Sequence, residues 1–160
     1  MDKNSCYITG RVERVTALNE LFDCAEKEIE VFDKDLRGGG YESLRRASAM
    51  EAFLLRNQES HIVFLLQDVL FLQQGCPRVM ALIRRFPGRI TVREVLPLVH
   101  KVTDTFVLVD AAHYLHRFHR DQERALLAFR DVEGARELSF RLGEILNFSE
   151  VSTSVIINRL

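Results

Sequence analysis

The stretch TDTFVLVDAAHYLHRFHRD, Thr103–Asp121, decides the fold of this chain. It opens with an apolar run, Phe106 to Val109, that Asp110 closes. A tight turn at residues 110–112 separates it from a second run, YLHRFH, and this pattern predicts two strands joined as a hairpin. Residues 113–120 contain three histidines and two arginines. The segment is therefore a candidate catalytic site, metal site or phosphate-binding surface, or simply a solvated hairpin.

Outward from the hairpin, helical and strand-like segments alternate. Apolar residues at positions 18, 21, 22 and 25 predict a helix that Thr16 caps, and an unbroken apolar run predicts a strand buried on both faces at HIVFLLQ. The remaining expected elements are a strand at Glu28–Phe32, a helix at about Tyr41–Asn57, a short helix at VLFLQQ capped by Asp68, a helix at PRVMALIRRF, a strand at RITVREV, and a last helix, VEGARELSFRLGEILN, capped by Asp131.

This order predicts an α/β fold, with a mixed sheet of about five to seven strands flanked by helices on both faces. The two unbroken apolar strands, HIVFLL and FVLVD, should be central. We expect a loose N-terminal arm at residues 1–15, one domain at residues 16–149, and a tail at residues 150–160. The tail is either a strand added to a sheet edge, its own or a partner's, or disordered.

Composition limits the class of protein. Apolar residues are 47% and charged residues 28% of 160, and the net charge is −1. No global charge attracts nucleic acid or membrane, so such binding needs a local patch. Three widely spaced cysteines suit neither a disulfide framework nor a zinc site, and the N-terminus has no apolar core of a signal peptide. We expect a cytoplasmic protein without a membrane span, cofactor or metal.

Four segments together resemble one half of the phospholipase D superfamily. They are VFDKDL after the first predicted strand, CPRVMALIRRF, FVLVD with the following HYLHR, and the closing helix. The resemblance spans roughly residues 18–149 and is greatest to an uncharacterised bacterial group of such domains. It implies a phospholipase D-like half-domain fold. Because two halves build one site in that superfamily, it also implies a homodimer.

Active members of that superfamily carry His-x-Lys-x4-Asp on the equivalent strand. Aligning the acid with Asp110 places Thr103 at the histidine and Thr105 at the lysine. A threonine supplies neither the imidazole nucleophile nor the cation that phosphodiester chemistry needs. The resemblance therefore implies a degenerate half-domain without catalytic residues, in which Thr103, Thr105 and Asp110 are structural. His100 lies three residues too early to replace the nucleophile.

The cations that follow this strand are candidates for anion binding. Open α/β sheets bind ligands beyond the carboxyl ends of their strands, and arginine recognises phosphate through two parallel hydrogen bonds. The candidates are Arg117, His119, Arg120 and Arg124, with Arg78 at a predicted helix N-terminus. The alternative is a solvated surface whose charges pair among themselves.

Other patterns have weaker functional interpretations. His113, His116 and His119 would cluster only on a helix, and on a strand they are hairpin side chains. Asp33 and Asp35 could be acid-base groups or magnesium ligands, or could hold a turn. RGGG, at residues 37–40, lacks the ending of a phosphate-binding P-loop and is interpreted as a flexible connection.

The sequence thus predicts a non-catalytic phospholipase D-like module that holds a phosphate-bearing ligand, such as a nucleic acid, a nucleotide or a lipid headgroup. The alternatives are a protein-interaction or self-association domain without a small ligand and, less favoured, an enzyme with relocated catalytic groups.

Overall fold

The computed structural model describes residues 4–157, and side chains for residues 4–155. The strands in this part of the chain are β1 (Asn4–Thr9), β2 (Glu28–Asp33), β3 (His61–Leu66), β4 (Ile90–Val95), β5 (Thr105–Val109), β6 (His113–Arg117), β7 (Arg124–Phe129) and β8 (Ser149–Val151). The helices are α1 (Arg11–Cys24), α2 (Leu44–Arg56), α3 (Leu70–Gly75), α4 (Pro77–Arg85), α5 (Val132–Leu146) and α6 (Thr153–Ile157).

All eight strands form one mixed sheet in the order β1-β7-β6-β5-β2-β3-β4-β8. Strands β2, β3 and β4 are parallel, and the other neighbours are antiparallel. The predicted mixed sheet is confirmed, and so is the central position of HIVFLL and FVLVD, which lie on either side of β2. The sheet has more strands than the five to seven expected.

Helices cover both faces of the sheet, as predicted. One core packs α1, α2 and α4 against the sheet and includes Phe22, Met50 and Phe64. The other core packs α5 against the opposite face and includes Phe32 and Leu138. No helix in residues 4–157 is long and apolar enough to cross a membrane.

The N-terminal segment is not a loose arm where the structure describes it. Strand β1 pairs antiparallel with β7, from Asn4 opposite Phe129 to Thr9 opposite Arg124. Helix α1 begins at Arg11, directly after Gly10 with φ of 95°, so Thr16 lies within the helix and does not cap it. The arm was predicted because β1 depends on a partner more than 100 residues away, which local patterns do not reveal. Residues 1–3 of the predicted arm lie outside the described residues.

The C-terminal segment continues the fold. Strand β8 pairs with β4 within the chain, with Arg93 opposite Val151. Helix α6 follows, and Val155 is buried in the larger core. Of the two alternatives for the tail at residues 150–160, an added edge strand is therefore correct at its start, and residues 158–160 lie outside the described part.

The predicted hairpin is present, and its first strand, β5, pairs with β2. Strands β5 and β6 pair from Thr105 opposite Arg117 to Val109 opposite His113. The connecting residues Asp110 and Ala111 have φ of 52° and 51°. Two successive residues with positive φ give a turn whose twist matches that of the flanking strands.

Candidate anion-binding site

At the end of the sheet where the parallel strands finish, residues from α1, β2, the glycine-rich loop, β5 and β6 lie close together. The parallel strand β2 ends here at Asp33, and the antiparallel β5 begins here at Thr105. Strand β6 ends here at Arg117, directly opposite Thr105 in the ladder. Strand β1 ends beside the start of β7, and helix α1 follows β1 almost directly, so α1 also begins at this end of the sheet. Strand β5, which begins at Thr105 two residues after Thr103, therefore starts where the carboxyl ends of the parallel strands lie.

A small cavity lies at this end of the sheet, with a volume of about 30 Å³. Three arginines from three separate segments line it, together with one carboxyl group and one phenol. The lining residues are Arg14, Leu18, Phe32, Asp33, Arg37, Gly39, Tyr41, Thr105, Phe106, Val107, Leu115 and Arg117.

The three lining arginines are Arg14 from α1, Arg37 from the glycine-rich loop and Arg117 from β6. We call them the arginine cluster. Arg14 donates to the carboxylate of Glu123 at 3.3 Å and to the carbonyl oxygen of Gly38 at 3.4 Å.

Arg37 lies 3.8 Å from the carboxylate of Asp35 and over the ring of Phe71. Arg117 donates to the carbonyl oxygen of His119 at 3.4 Å. These contacts and those of Arg14 are long for hydrogen bonds to charged groups, so the cluster can form shorter bonds to an anion.

Arg117 is a partly buried member of the cluster. Burial lowers its pKa, and the positive charge of Arg14 lowers it further. An arginine in a protein nevertheless remains charged. The two guanidinium groups therefore hold a concentrated positive charge at the cavity.

Asp33 is the acidic member of the site. It is partly buried, and its Oδ1 accepts from the backbone N–H of Lys34 at 2.6 Å. Burial raises the pKa of Asp33 to about 6, the charge of Asp35 adds to the shift, and the Lys34 N–H and Arg117 oppose it. The carboxyl group can thus gain a proton under mildly acidic conditions.

Tyr41 lines the inner part of the cavity. It is 1% exposed, and its hydroxyl has no hydrogen-bond partner among the described residues. Its ring packs edge-on against Phe22 and Phe64, while the guanidinium of Arg46 lies 4.7 Å from the ring centroid. Burial raises the pKa of Tyr41, so the hydroxyl stays protonated and can donate.

The motif residues divide between the two ends of β5. Thr105 lines the cavity, and the carbonyl oxygen of Thr103 accepts from the backbone N–H of Arg120 at 2.8 Å. Asp110 lies at the other end of the strand. Its carboxylate accepts from the backbone N–H groups of residues 26, 27 and 28 at 2.8–2.9 Å. Asp110 therefore joins the start of β2 to the hairpin turn and lies away from the cavity.

The predicted cations separate into two groups. Arg117 lines the cavity. Arg120 does not line it and donates to the side chain of Gln67 at 3.2 Å. The ring of His119 accepts from the backbone N–H of Asp121 in the following turn.

Two other predicted cations have different surroundings. The guanidinium of Arg124 lies 3.8 Å from the ring centroid of Tyr7. Arg78 donates to the carbonyl oxygen of Glu42 and lines a groove between α2 and α4. The structure therefore does not place these two arginines with the arginine cluster.

The three histidines of the hairpin do not come together. His113 accepts from the backbone N–H of Arg130 at 2.9 Å. His116 forms a 2.8 Å hydrogen bond with Asp104 on the α5 side of the sheet. Within residues 4–157, no three His, Cys, Asp or Glu side chains form a group that could hold a metal ion.

Sequence reasoning missed Arg14, Arg37 and Tyr41. Arg14 was assigned to an arm, and Arg37 to a flexible connection. The run of three glycines after Arg37 was the available signal in the sequence. Gly38 and Gly40 have φ of 79° and 78°. At Gly39, a Cβ atom would lie 2.7 Å from the Tyr41 ring. The loop is therefore tightly packed against the site.

Solved structures with the same fold include phospholipase D family members. Nuc from Salmonella typhimurium, titled a phospholipase D family member, has a TM-score of 0.62 and 13% identity, covering 94% of this chain and 99% of Nuc. NucT from Helicobacter pylori has a TM-score of 0.64 and 11% identity, covering 94% of this chain and all of NucT.

A third match is TrmBL2, described as an archaeal chromatin protein with a novel mode of DNA binding. Its TM-score is 0.69 at 12% identity, covering 95% of this chain. This chain spans only 55% of the length of TrmBL2.

The fold is therefore the mixed α/β fold of phospholipase D-like proteins. A family model matches residues 11–154, and the chain belongs to that family, described as Domain of unknown function (DUF7931). No curated protein matches the chain.

Proposed function

We propose that this chain is a non-catalytic phospholipase D-like module that binds a phosphate-bearing ligand at the arginine cluster. The observation that carries the proposal is the convergence of Arg14, Arg37 and Arg117 on one cavity beside Thr105. The cations come from three segments far apart in sequence, so the fold itself assembles them. Guanidinium groups form charge-assisted, geometrically specific bonds with phosphate oxygens.

The absence of catalysis is part of the proposal. By resemblance, Thr103 and Thr105 occupy the positions of the catalytic histidine and lysine. A threonine hydroxyl cannot act as the imidazole nucleophile, and it adds no positive charge. The arginine cluster would then retain the affinity of the site for phosphate without the group that attacks phosphorus.

The ligand class follows from the size of the cavity. The cavity is small, with a volume of about 30 Å³, so it can receive only part of a ligand, and the rest of the ligand must lie on the surface outside. His119 and Arg120 lie in the loop that follows β6. A phosphate of a single-stranded nucleic acid, a nucleotide or a lipid headgroup could bind in this way. Likeness in fold to a phospholipase D family member and to an archaeal chromatin protein with a novel mode of DNA binding supports nucleic acid as the first ligand to test.

The test is a titration with a fluorescent single-stranded oligonucleotide and, by competition, with inorganic phosphate. At low salt the wild type should bind the oligonucleotide, and Arg14→Ala/Arg117→Ala should lose most of the binding. The charge-matched control is Arg78→Ala/Arg85→Ala, which removes two cations from the groove between α2 and α4. The proposal fails if the wild type binds neither probe, or if the two double variants weaken binding equally.

We also propose that two copies of the chain pair. The resemblance to half-domains that assemble in twos motivates this, and the sheet offers a suitable edge. Strand β1 is the outermost strand on its side, and most of its residues are exposed. An open strand edge can pair with another strand through its backbone groups.

A further inference from the structure

Asp33 poses an electrostatic problem for any anion at the arginine cluster. Its carboxyl group lines the same cavity as the three arginines. When ionised, it repels a phosphate and competes for the same guanidinium hydrogens. A bound anion must therefore displace this carboxylate or cause it to take up a proton.

Displacement is opposed by the position of Asp33 in the sheet. It is the last residue of β2, a central strand, and lies opposite Leu66 in the ladder with β3. Its side chain is also fixed by the 2.6 Å bond from the N–H of Lys34. The carboxyl group cannot leave the cavity without breaking this bond.

The alternative, uptake of a proton by Asp33, requires only a modest further rise in its pKa. Burial raises the pKa of Asp33 to about 6, and a phosphate nearby would raise it further, because a like charge disfavours ionisation. The charged and titratable groups that face it are Arg14 from α1, Arg117 from β6, and Asp35, Arg37 and Tyr41 from its own connecting segment.

Tyr41 provides the second, independent observation. Its hydroxyl is buried without a hydrogen-bond partner among the described residues, which is unfavourable for a protein interior. The ring cannot turn freely, since Phe22, Phe64 and the backbone at Gly39 pack against it. The Tyr41 side chain lines the cavity, and its hydroxyl oxygen is closed to solvent, so a ligand oxygen that reached the hydroxyl through a small local rearrangement would satisfy it.

We propose that Asp33 and Tyr41 form the inner end of the binding site and determine its specificity, with Tyr41 donating to the innermost phosphate oxygen and Asp33 taking up one proton as the ligand binds. This inference rests on the function proposed above. In the bound state, the protonated carboxyl group becomes a second neutral donor. The proton comes from the solvent, so the affinity of the site for an anion depends on pH.

Because Asp33 takes up a proton when the anion binds, the affinity of the site for the anion falls as pH rises. Above the pKa of free Asp33, each further pH unit should reduce the association constant by up to about tenfold, because one proton is taken up per ligand. Below that pKa the affinity should level off. An asparagine at position 33 carries no charge, so Asp33→Asn should remove this dependence and bind about ten- to a hundredfold more tightly than the wild type near pH 8.

The experiment uses two probes whose charge does not change near neutral pH, namely a fluorescent oligothymidylate and inorganic sulfate. Affinities are measured from about pH 5.5 to 8.5, and calorimetry in buffers of different ionisation enthalpy counts the protons taken up. The wild type should take up nearly one proton at pH 7 to 8, and Asp33→Asn none. His119→Gln should keep the wild-type dependence, which separates Asp33 from the nearby imidazole.

Tyr41→Phe tests the other half of the proposal. It should weaken binding by about tenfold, as expected for one hydrogen bond to a charged group, while the thermal midpoint stays the same or rises. A purely structural role for the hydroxyl would lower the midpoint instead.

The possible outcomes separate the two proposals. Absence of binding by the wild type to both probes would overturn the proposed function itself. Binding that is independent of pH and unaffected by Asp33→Asn, or unaffected by Tyr41→Phe, would leave the arginine cluster as a site and overturn this inference.

Discussion

The backbone N–H of Arg120 donates a 2.8 Å hydrogen bond to the carbonyl oxygen of Thr103. This bond ties the loop after β6 to the segment just before β5. The guanidinium of Arg120 then reaches Gln67, the residue directly after β3. The loop that carries Arg120 is thus anchored to two neighbouring segments of the chain.

This position predicts a modest role for the Arg120 side chain. Arg120→Ala keeps the backbone bond to Thr103 and removes one cation from the loop after β6. Binding of the oligonucleotide should weaken by about two- to fivefold, and the slope of log affinity against log salt should fall by about one. Arg124→Ala is the control, because its guanidinium stacks on Tyr7. An equal effect of the two variants would contradict a specific role for Arg120.

The second prediction concerns catalysis. The purified protein should not hydrolyse a chromogenic phosphodiester above the rate in buffer, since neither motif threonine can act as the nucleophile. The release of the coloured phenol over hours at several pH values measures this. Activity in the wild type that Arg117→Ala abolishes would show that the catalytic groups have moved elsewhere in the site.

The central sheet and the helices on both its faces could be predicted from the sequence. Strands β3 and β5 are unbroken apolar runs, and Asp131 caps α5 as expected, with its side chain accepting from the N–H of Gly134. Strand β7 was missed because Ala and Leu predominate in RALLAF, and these residues favour helix over strand. Its pairing with β1 and β6 overrides that local preference.

The site was predictable only in part. Arg117 and Arg120 follow a recognisable strand, so position along the chain was enough to select them. Arg14 and Tyr41 reach the cavity from a helix and from a loop whose placement depends on tertiary packing. Nothing in the local sequence distinguishes Arg14 from any other arginine on a helix surface.

A third prediction concerns the opposite face of the sheet, where Asp104 joins β5 to α5. Arg141 binds both carboxylate oxygens of Asp104, and His116 binds one of them at 2.8 Å. Burial alone would raise the pKa of Asp104, but the bonds from Arg141 and His116 hold it well below its usual range. Asp104→Asn should therefore lower the free energy of unfolding at pH 7 by about 1–3 kcal/mol.

The pH dependence gives a sharper test of the Asp104 network. A depressed pKa stabilises the fold above the ordinary carboxyl pKa of about 3.9 and loses this contribution as pH falls below it. The difference between wild type and Asp104→Asn should therefore shrink in acid, as measured by urea unfolding. Asp121→Asn is the control, since that side chain is 83% exposed. A difference that stays constant with pH would point to packing instead of charge.

The fourth prediction concerns assembly. Light scattering at micromolar concentration should give about twice the chain mass of 18.5 kDa. If two β1 strands pair about a twofold axis, Cys6 lies near the centre and faces its own copy. Cys6→Glu would then place like charges opposite each other and favour the monomer. Val12→Glu, on the exposed surface of α1, is the control. A wild type of monomer mass would refute the pairing.

The last prediction concerns Glu30, in the middle of β2. Burial raises its pKa to about 7, and the charge of Glu28 adds to the shift. A carboxyl group with a raised pKa contributes full stability below its unfolded pKa of about 4.3, and the contribution is lost as pH rises through the folded value. Glu30→Gln, which cannot ionise, should be more stable than the wild type at pH 8 by about 1–3 kcal/mol, after allowance for partial exposure. The gain should vanish near pH 4.

Urea unfolding at both pH values measures the effect of Glu30→Gln. Glu59→Gln, at an exposed turn, should change stability at neither pH and serves as the control. Since β2 also ends at Asp33, whose pKa is raised to about 6, a folded state that becomes less stable between about pH 4 and 7 would reflect both carboxyl groups. The double variant Asp33→Asn/Glu30→Gln should therefore have a nearly flat stability profile over this range. If the free energy of unfolding of the wild type is the same at both pH values, the pKa values of Glu30 and Asp33 are not raised in the folded state.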